Sequence, residues 1–368
     1  MSTFPRATHV GSLLRPPQLL KARADRAAGW LRDDELHRIE QESILVALSV
    51  QQESGIGTYT DGEYLRTDFM SRLTEHVDGF AEQAPSLEWQ SGEASAEDSS
   101  ILRLVGGRLA YRERFTDREA AFLTAHAPGP FKISLPEVTN FVIANWDAQV
   151  SGPHYPGRGD IVEDLGAVLR QEAAALADDG VRHVQIDAPC FIAFANPRIL
   201  ALLESENIDA RALLRRCIDA DAAVVRLLRE RGVRVGMHIC RGNYRGQWFN
   251  EGFYDDIAAE VFGGIPVDHW LLEYDTERAG TFEPLRHVPG GVGVVLGLIT
   301  TKSGELEDPD ELARRVDEAA RFVPLDDLAV SPQCGFASEV QGNPLTWDDQ
   351  RRKLDLTVAV AERVWGTP

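Results

Sequence analysis

Eight short β-rich segments alternate with helical stretches along the chain, and few folds accommodate that order. The segments are ATHVGS (7–12), IGTYTDGE (56–63), FKISLP (131–136), HVQIDAP (183–189), RVGMHIC (234–240), HWLLEYD (269–275), GVVLGLI (293–299) and LAVSPQCG (328–335). Most are apolar for much of their length, as parallel strands covered on both faces should be. Between them run stretches rich in Ala, Leu, Glu and Arg, at 34–55, 160–180 and 209–232, several closed by glycine. Strand and helix repeated eight times predict an α/β fold of the (β/α)8 TIM-barrel type, formed by residues 1–368 as one catalytic domain. A hairpin and helix are expected as an insertion before the third strand, at about 84–128. Its hairpin, ILRLVGGRLAYRE (101–113), should turn at Gly106–Gly107, and its helix should be capped by Thr116. The polar stretch at 88–100 reads as a surface loop. The final helix should open on a capping box of Thr346 and Asp349 and turn Leu354, Val358 and Ala361 toward the core.

Length and charge narrow the function. A chain of 368 residues with 58 acidic and 38 basic side chains carries a formal charge of −20, which argues against nucleic acid or an anionic membrane as partner. The N-terminal stretch has no apolar signal region, and the longest apolar run, near Gly291–Ile299, is too short to span a bilayer. Four cysteines without a secretory signal fit a reducing cytoplasm.

Barrels of this type build their active sites at the C-terminal ends of the strands. There the sequence places Ser12, Asp61, Glu63, Asp187, His238, Cys240, Glu273, Asp275 and Cys334. His238 and Cys240 are two apart on one strand and share a face. Glu273 and Cys334 close the sixth and eighth segments and can face the same axial region. One imidazole, two thiolates and one carboxylate suit a tetrahedral zinc ion. The other candidates are plainer. Cys190 and Cys217 read as packing, His9 and His183 as structural residues near strand starts, and His154 as a solvated loop residue. Asp61 and Asp275 could equally cap the helices that follow, and Ser12 could be a turn residue. Arg66, Arg241 and Arg245 could bind a carboxylate or form a solvated rim.

The motifs HVGSLLRP (9–16), TDGEYLRTDF (60–69), QIDAP (185–189), GMHICRGN (236–243), LEYDTERAGTFEPL (272–285), GLITTKSGELED (297–308) and SPQCGFAS (331–338) occur in this order. Together the chain resembles the short, single-barrel members of the cobalamin-independent methionine synthase family, nearly end to end. The resemblance implies a zinc-dependent methyltransferase that methylates the thiolate of homocysteine or a related small thiol. It implies His238, Cys240, Glu273 and Cys334 as zinc ligands, and Gly11, Ser12, Glu63 and Asp187 as substrate-binding positions. Coordination would deprotonate a thiol whose free pKa is about 8.5. The two acids could hold its ammonium by charge-assisted hydrogen bonds.

Two departures bear on the methyl donor. Ile299 stands where the long family members have the histidine taken to protonate the departing folate, and Ala188 replaces an acid beside Asp187. The donor, whether methyl-folate, methylcobalamin or another compound, and the proton donor therefore stay open. Homo-oligomerisation is compatible with the sequence. An epoxyalkane:coenzyme M transferase-like reaction keeps the zinc thiolate but expects basic residues where Glu63 and Asp187 stand. A metal-free lyase like the uroporphyrinogen decarboxylases would need no cysteine cluster.

Overall fold

A computed structural model describes residues 5–82 and 103–366. The loop expected at 88–100 lies outside the described residues. Strands β1 (Val77–Phe80) and β2 (Val105–Tyr111) form an antiparallel pair. The remaining strands are β3 (Ile133–Pro136), β4 (His183–Asp187), β5 (Arg234–Ile239), β6 (His269–Glu273), β7 (Gly293–Ile299) and β8 (Leu328–Pro332). They form a parallel sheet in sequence order. Long helices connect them, among them Val162–Asp178, Ala210–Glu230 and Pro309–Ala319, giving the expected (β/α)8 architecture.

The first two segments join the ring differently from the other six. Each makes one parallel bridge, Ala7 to Val330 of β8 and Tyr59 to Phe131 just before β3. Between these two segments, a side chain stands in for the missing ladder. Gln51, from helix Asp33–Glu53, accepts from the Thr60 N–H and donates to the Thr60 carbonyl, both at 2.9 Å. Its Oε1 also lies 2.9 Å from His9 Nε2. The Thr60 hydroxyl donates to the Gly11 carbonyl at 2.8 Å, and the Leu13 N–H to Gly62 at 3.1 Å. The amide of a buried glutamine thus satisfies backbone groups that a strand neighbour would otherwise meet.

Alternation along the strands divides the molecule into an apolar shell and a polar axis. Val184 and Ile186, Val235, Met237 and Ile239, Trp270 and Leu272, and Leu328 and Val330 point into the main core under the helices. The alternate residues, such as Gln185, His238, His269 and Ser331, are buried and polar, and the small cluster of Leu271, Val295 and Ala329 is separate from the main core. Among the described residues no helix is long and apolar enough to cross a membrane.

The Gly106–Gly107 turn does not form. Both glycines lie inside β2, paired with β1 through a ladder whose register shifts between Asp78 and Phe80. Crowding explains this: a Cβ on Gly107 would lie 3.3 Å from Gly79 Cα, and one on Gly79 (φ +99°) 2.5 Å from the Arg108 carbonyl oxygen. These glycines serve close strand approach. The helix after β2 runs Asp117–His126, but Thr116 does not cap it, because its hydroxyl donates to Glu172 instead. The final helix, Trp347–Trp365, opens on the Thr346–Asp349 capping box, with Leu354 and Ala361 buried and Val358 half-buried against the core.

Helix Asp117–His126 is tied to the barrel by a buried ion pair. Arg66 donates to both Glu119 oxygens at 2.8 and 2.7 Å and to Ser134 in β3. Removing one partner leaves an uncompensated charge, so Glu119→Gln should cost about 3–5 kcal/mol in urea unfolding. The double replacement Arg66→Met, Glu119→Leu should cost less than that single change. Equal or larger loss in the double variant would show that the pair is not what the site depends on.

Candidate metal centre and active-site cleft

Three of the four residues expected to bind metal converge at the C-terminal end of the barrel. A ring nitrogen of His238 and the sulfurs of Cys240 and Cys334 lie within 4.8 Å of one another, all buried. His238 Nδ1 is 3.2 Å from the Leu271 carbonyl oxygen, which holds the proton on that nitrogen. Nε2 is buried and has no hydrogen-bond partner, so its lone pair is the one left for a ligand. The two sulfurs are 3.8 Å apart. That is far beyond a disulfide bond of about 2.05 Å. It matches the roughly 3.8 Å that two 2.3 Å metal–sulfur bonds span at a tetrahedral angle. The chain's own chemistry therefore fits a thiophilic metal.

Glu273 does not join this group. Its Oε1 accepts from Arg278 at 2.7 and 3.3 Å, and its Oε2 from the Arg241 backbone N–H at 2.9 Å. Arg278 also reaches Asp275 at 3.3 Å and lies over the Trp248 ring at 4.6 Å. The carboxylate sits at the end of β6, beside the thiols but held by a cation. Burial opposes its charge, and Arg241, Lys302 and Arg278 overcome this and keep its pKa low.

Charge at the two sulfurs is divided. The Cys240 thiol hydrogen-bonds to Cys334, and this, with the nearby His238 ring, pulls Cys334 well below the usual thiol range. The same contact, reinforced by burial, pushes Cys240 well up. Burial opposes charge on His238, but the Cys334 sulfur, Asp187 and Glu273 outweigh it and raise its pKa.

These ligands open onto a cleft whose walls include Ser12, Glu63 and Asp187. Gly11 lies behind it: a Cβ there would come 3.0 Å from Glu63 Oε1, so the glycine makes room for the carboxylate. Ser12 is packed as tightly, since a Cβ on Gly335 would fall 1.9 Å from its hydroxyl oxygen. Glu63 adopts φ +60°, a left-handed conformation that few non-glycine residues take. The Asp61 carboxylate supports this turn by accepting the Glu63 N–H at 2.9 Å. Glu63 Oε1 accepts from Ser134 at 3.1 Å, while Oε2 is buried without a partner. Burial, reinforced by Asp187 and Asp61, lifts Glu63 to about 7; burial and Glu119 lift Asp61 to about 7; burial also raises Asp187.

The remaining candidates separate. Arg66 is consumed by Glu119, and Arg241 is fully buried, donating to Gly252 O and lying over Tyr254, so neither forms a solvated rim. Arg245 and His154 are exposed. Cys217 and Cys190 both pack in the core, and Cys190 also lines the cleft. Ile299 is buried at the end of β7. Sequence reasoning missed Asn140 and Asn243, both on the cleft wall, and Lys132 and Gln185 beneath Asp187. A lysine just before one apolar strand and a glutamine within another were the available signal.

The family model described as cobalamin-independent synthase, catalytic domain, matches residues 140–363. The chain is 34% identical to the uncharacterized protein YxjG of Bacillus subtilis, over 98% of this chain and 94% of that protein. It is 21% identical to the methionine synthase of Pyrococcus abyssi, over 89% of this chain and 85% of that one. The fold matches a B12-independent methionine synthase of Shewanella sp. W3-18-1, solved in complex with selenomethionine. That match has a TM-score of 0.71 at 22% identity and covers 98% and 97% of the two chains.

The raised carboxyl of Glu63 binds its proton more tightly in the folded chain than at its ordinary value of 4.5. This contribution to stability is therefore full below about 4.5 and is lost as pH rises through about 7. The ligand-free protein should lose unfolding free energy between pH 5 and 8, with Glu63 contributing on the order of 3 kcal/mol at most. Glu63→Gln should flatten that decline in chemical unfolding at several pH values. Identical slopes for both proteins would refute the assignment.

Proposed function

The chain belongs to the cobalamin-independent methionine synthase family and is a methyltransferase, and from that premise we propose that it methylates the sulfur of homocysteine or a closely related amino-acid thiol, with zinc as its metal. One observation carries the reading: a His–Cys–Cys donor set and a pair of buried carboxylates open onto the same cleft. Thiol and ammonium are the two groups such a substrate offers, and each has a counterpart there.

His238, Cys240 and Cys334 would hold the zinc, with Glu273 the fourth ligand once it leaves Arg278. When bound, the metal would lower the pKa of a coordinated thiol so that its sulfur is a thiolate nucleophile at neutral pH. The chain's own residues do the rest. Glu63 Oε2 and the Asp187 carboxylate accept the substrate ammonium, and that positive charge draws Glu63 back to its ionised form. Gly11 and Gly335 keep the first segment close enough for Ser12 to border the substrate. Phe69, Met70, Pro189 and Phe249 form an apolar wall that shields the reacting sulfur from water and leaves room for a methyl donor. Ile299 offers no proton to a departing group, so a methyl donor whose leaving group needs no protonation there fits this cleft better than methyl-folate.

The Shewanella enzyme's complex with selenomethionine supports an amino-acid thioether as product. Among the described residues that line the cleft there is no lysine or arginine, which disfavours a sulfonate-bearing thiol of the coenzyme M type.

Purified protein should contain about one zinc per chain, and Cys240→Ala or Cys334→Ala should lose it. Zinc-loaded protein, given homocysteine and a panel of methyl-folates, methylcobalamin and simple S-methyl or N-methyl compounds, should release methionine with at least one donor. Glu63→Gln should keep the zinc and raise KM for homocysteine roughly 10- to 100-fold, the worth of a charge-assisted hydrogen bond. Full activity without zinc, or alkylation of other thiols with no methionine from any donor, would end this reading.

A further inference from the structure

Beneath Asp187 runs a buried hydrogen-bonded column with no part in metal binding. Lys132, immediately before β3, donates from Nζ to the His9 carbonyl and, at 2.6 Å, to Gln185 Oε1. Gln185 Nε2 donates onward at 2.7 Å to the Val10 carbonyl and at 2.7 Å to Asp187 Oδ1. Lys132 is 2% exposed and Gln185 is fully buried. Lys132 borders the small cavity behind Glu63 and is absent from the wall of the main cleft. It is therefore placed to act on substrate only through its neighbours.

The direction of every hydrogen bond in this column follows from one chemical fact. Burial pulls the Lys132 pKa down to about 7. Its Nζ nonetheless donates to the His9 carbonyl and the Gln185 NH2 to the Val10 carbonyl, and carbonyls only accept, so the Gln185 oxygen must face Lys132. The Gln185 NH2 then has to face Val10 and Asp187, and Asp187 Oδ1 has to accept. That bond fixes Oδ1 and leaves the other carboxylate oxygen to face the cleft. Were the amide reversed, its oxygen would face Asp187 and favour the protonated acid.

We propose that Lys132 is a positioning residue that, through the Gln185 amide, holds the Asp187 carboxylate in a fixed orientation to accept the substrate ammonium. The inference rests on the reading of Glu63 and Asp187 as the ammonium site. It adds a determinant of substrate class: the column selects a thiol bearing a primary ammonium over one that lacks it. The same lysine ties His9, and so the first segment, to the sheet.

The test compares Lys132→Met and Gln185→Met, each alone and with Asp187→Asn, for zinc content, methionine binding by calorimetry, and KM and kcat with homocysteine. Each single change should raise KM and the methionine Kd roughly 10- to 100-fold. Zinc should stay near one per chain and kcat within about threefold. In the Asp187→Asn background neither change should weaken binding further, because the carboxylate it orients is gone. Additive losses in that background, or equal losses of kcat and zinc, would reduce Lys132 to a structural role and overturn the proposal. Either variant suffices if the other fails to fold. A wild-type protein that binds neither homocysteine nor methionine would contradict the ammonium reading itself, and this proposal with it. Normal wild-type binding left intact by both variants would overturn the Lys132 proposal alone.

Discussion

The parallel register of β4, β5 and β6 is the constraint on which the rest of the site depends. Asp187 pairs with His238 across the first junction, and His238 with Leu271 across the second. Because side chains alternate, a one-residue slip would send Asp187 or His238 out into the apolar shell and bring Ile186 or Met237 to the axis. The slip is opposed on both faces. Outward residues such as Trp270 and Met237 are packed under helices, and inward Gln185 and His238 are hydrogen-bonded along the axis. The His238 ring contact with the Leu271 carbonyl reads the same register directly. The placement of Asp187 and His238 is thus a consequence of strand pairing.

Two regions of opposite electrostatic need meet in one cleft. Around the sulfurs, their mutual contact pulls Cys334 down and pushes Cys240 up beside a raised His238 imidazole. Across the cleft, Glu63 and Asp187 are pushed up by burial and await a cation. Supporting residues hold each region in place. Arg278 and Arg241 hold Glu273, the Arg66–Glu119 pair sits beside Glu63, and Lys132 acts on Asp187 through Gln185. The strained backbone of Glu63 belongs to this design, since it aims a carboxylate that a relaxed turn would direct elsewhere.

Much of this could be read from residues alone, for physical reasons. Six of the eight segments form strands of the parallel sheet and were legible because strands under helices leave apolar runs between amphipathic stretches, while the first two make one bridge each. The convergence of His238, Cys240 and Cys334 was legible because strand ends are where such folds gather function. What escaped depended on partners distant in sequence. Gly106–Gly107 looks like a turn, and only the nearby Gly79 shows why glycine is needed within a strand. Thr116 looks like a cap until Glu172 takes its hydroxyl. The clamp of Arg278 on Glu273 is five residues away in sequence, yet nothing in LEYDTER shows which way the arginine folds. Lys132 and Gln185 were hidden for a further reason: a few polar residues in a strand look incidental until the axis of the barrel is seen to be polar.

The central claim is that one cleft receives both ends of an amino-acid thiol, its sulfur at the His238–Cys240–Cys334 set and its ammonium at Glu63 and Asp187. X-ray absorption at the zinc edge, with and without homocysteine, tests it most directly. The account predicts two sulfur neighbours in the protein alone and three when homocysteine is bound. A sulfur count that stays at two with homocysteine demonstrably bound would contradict it.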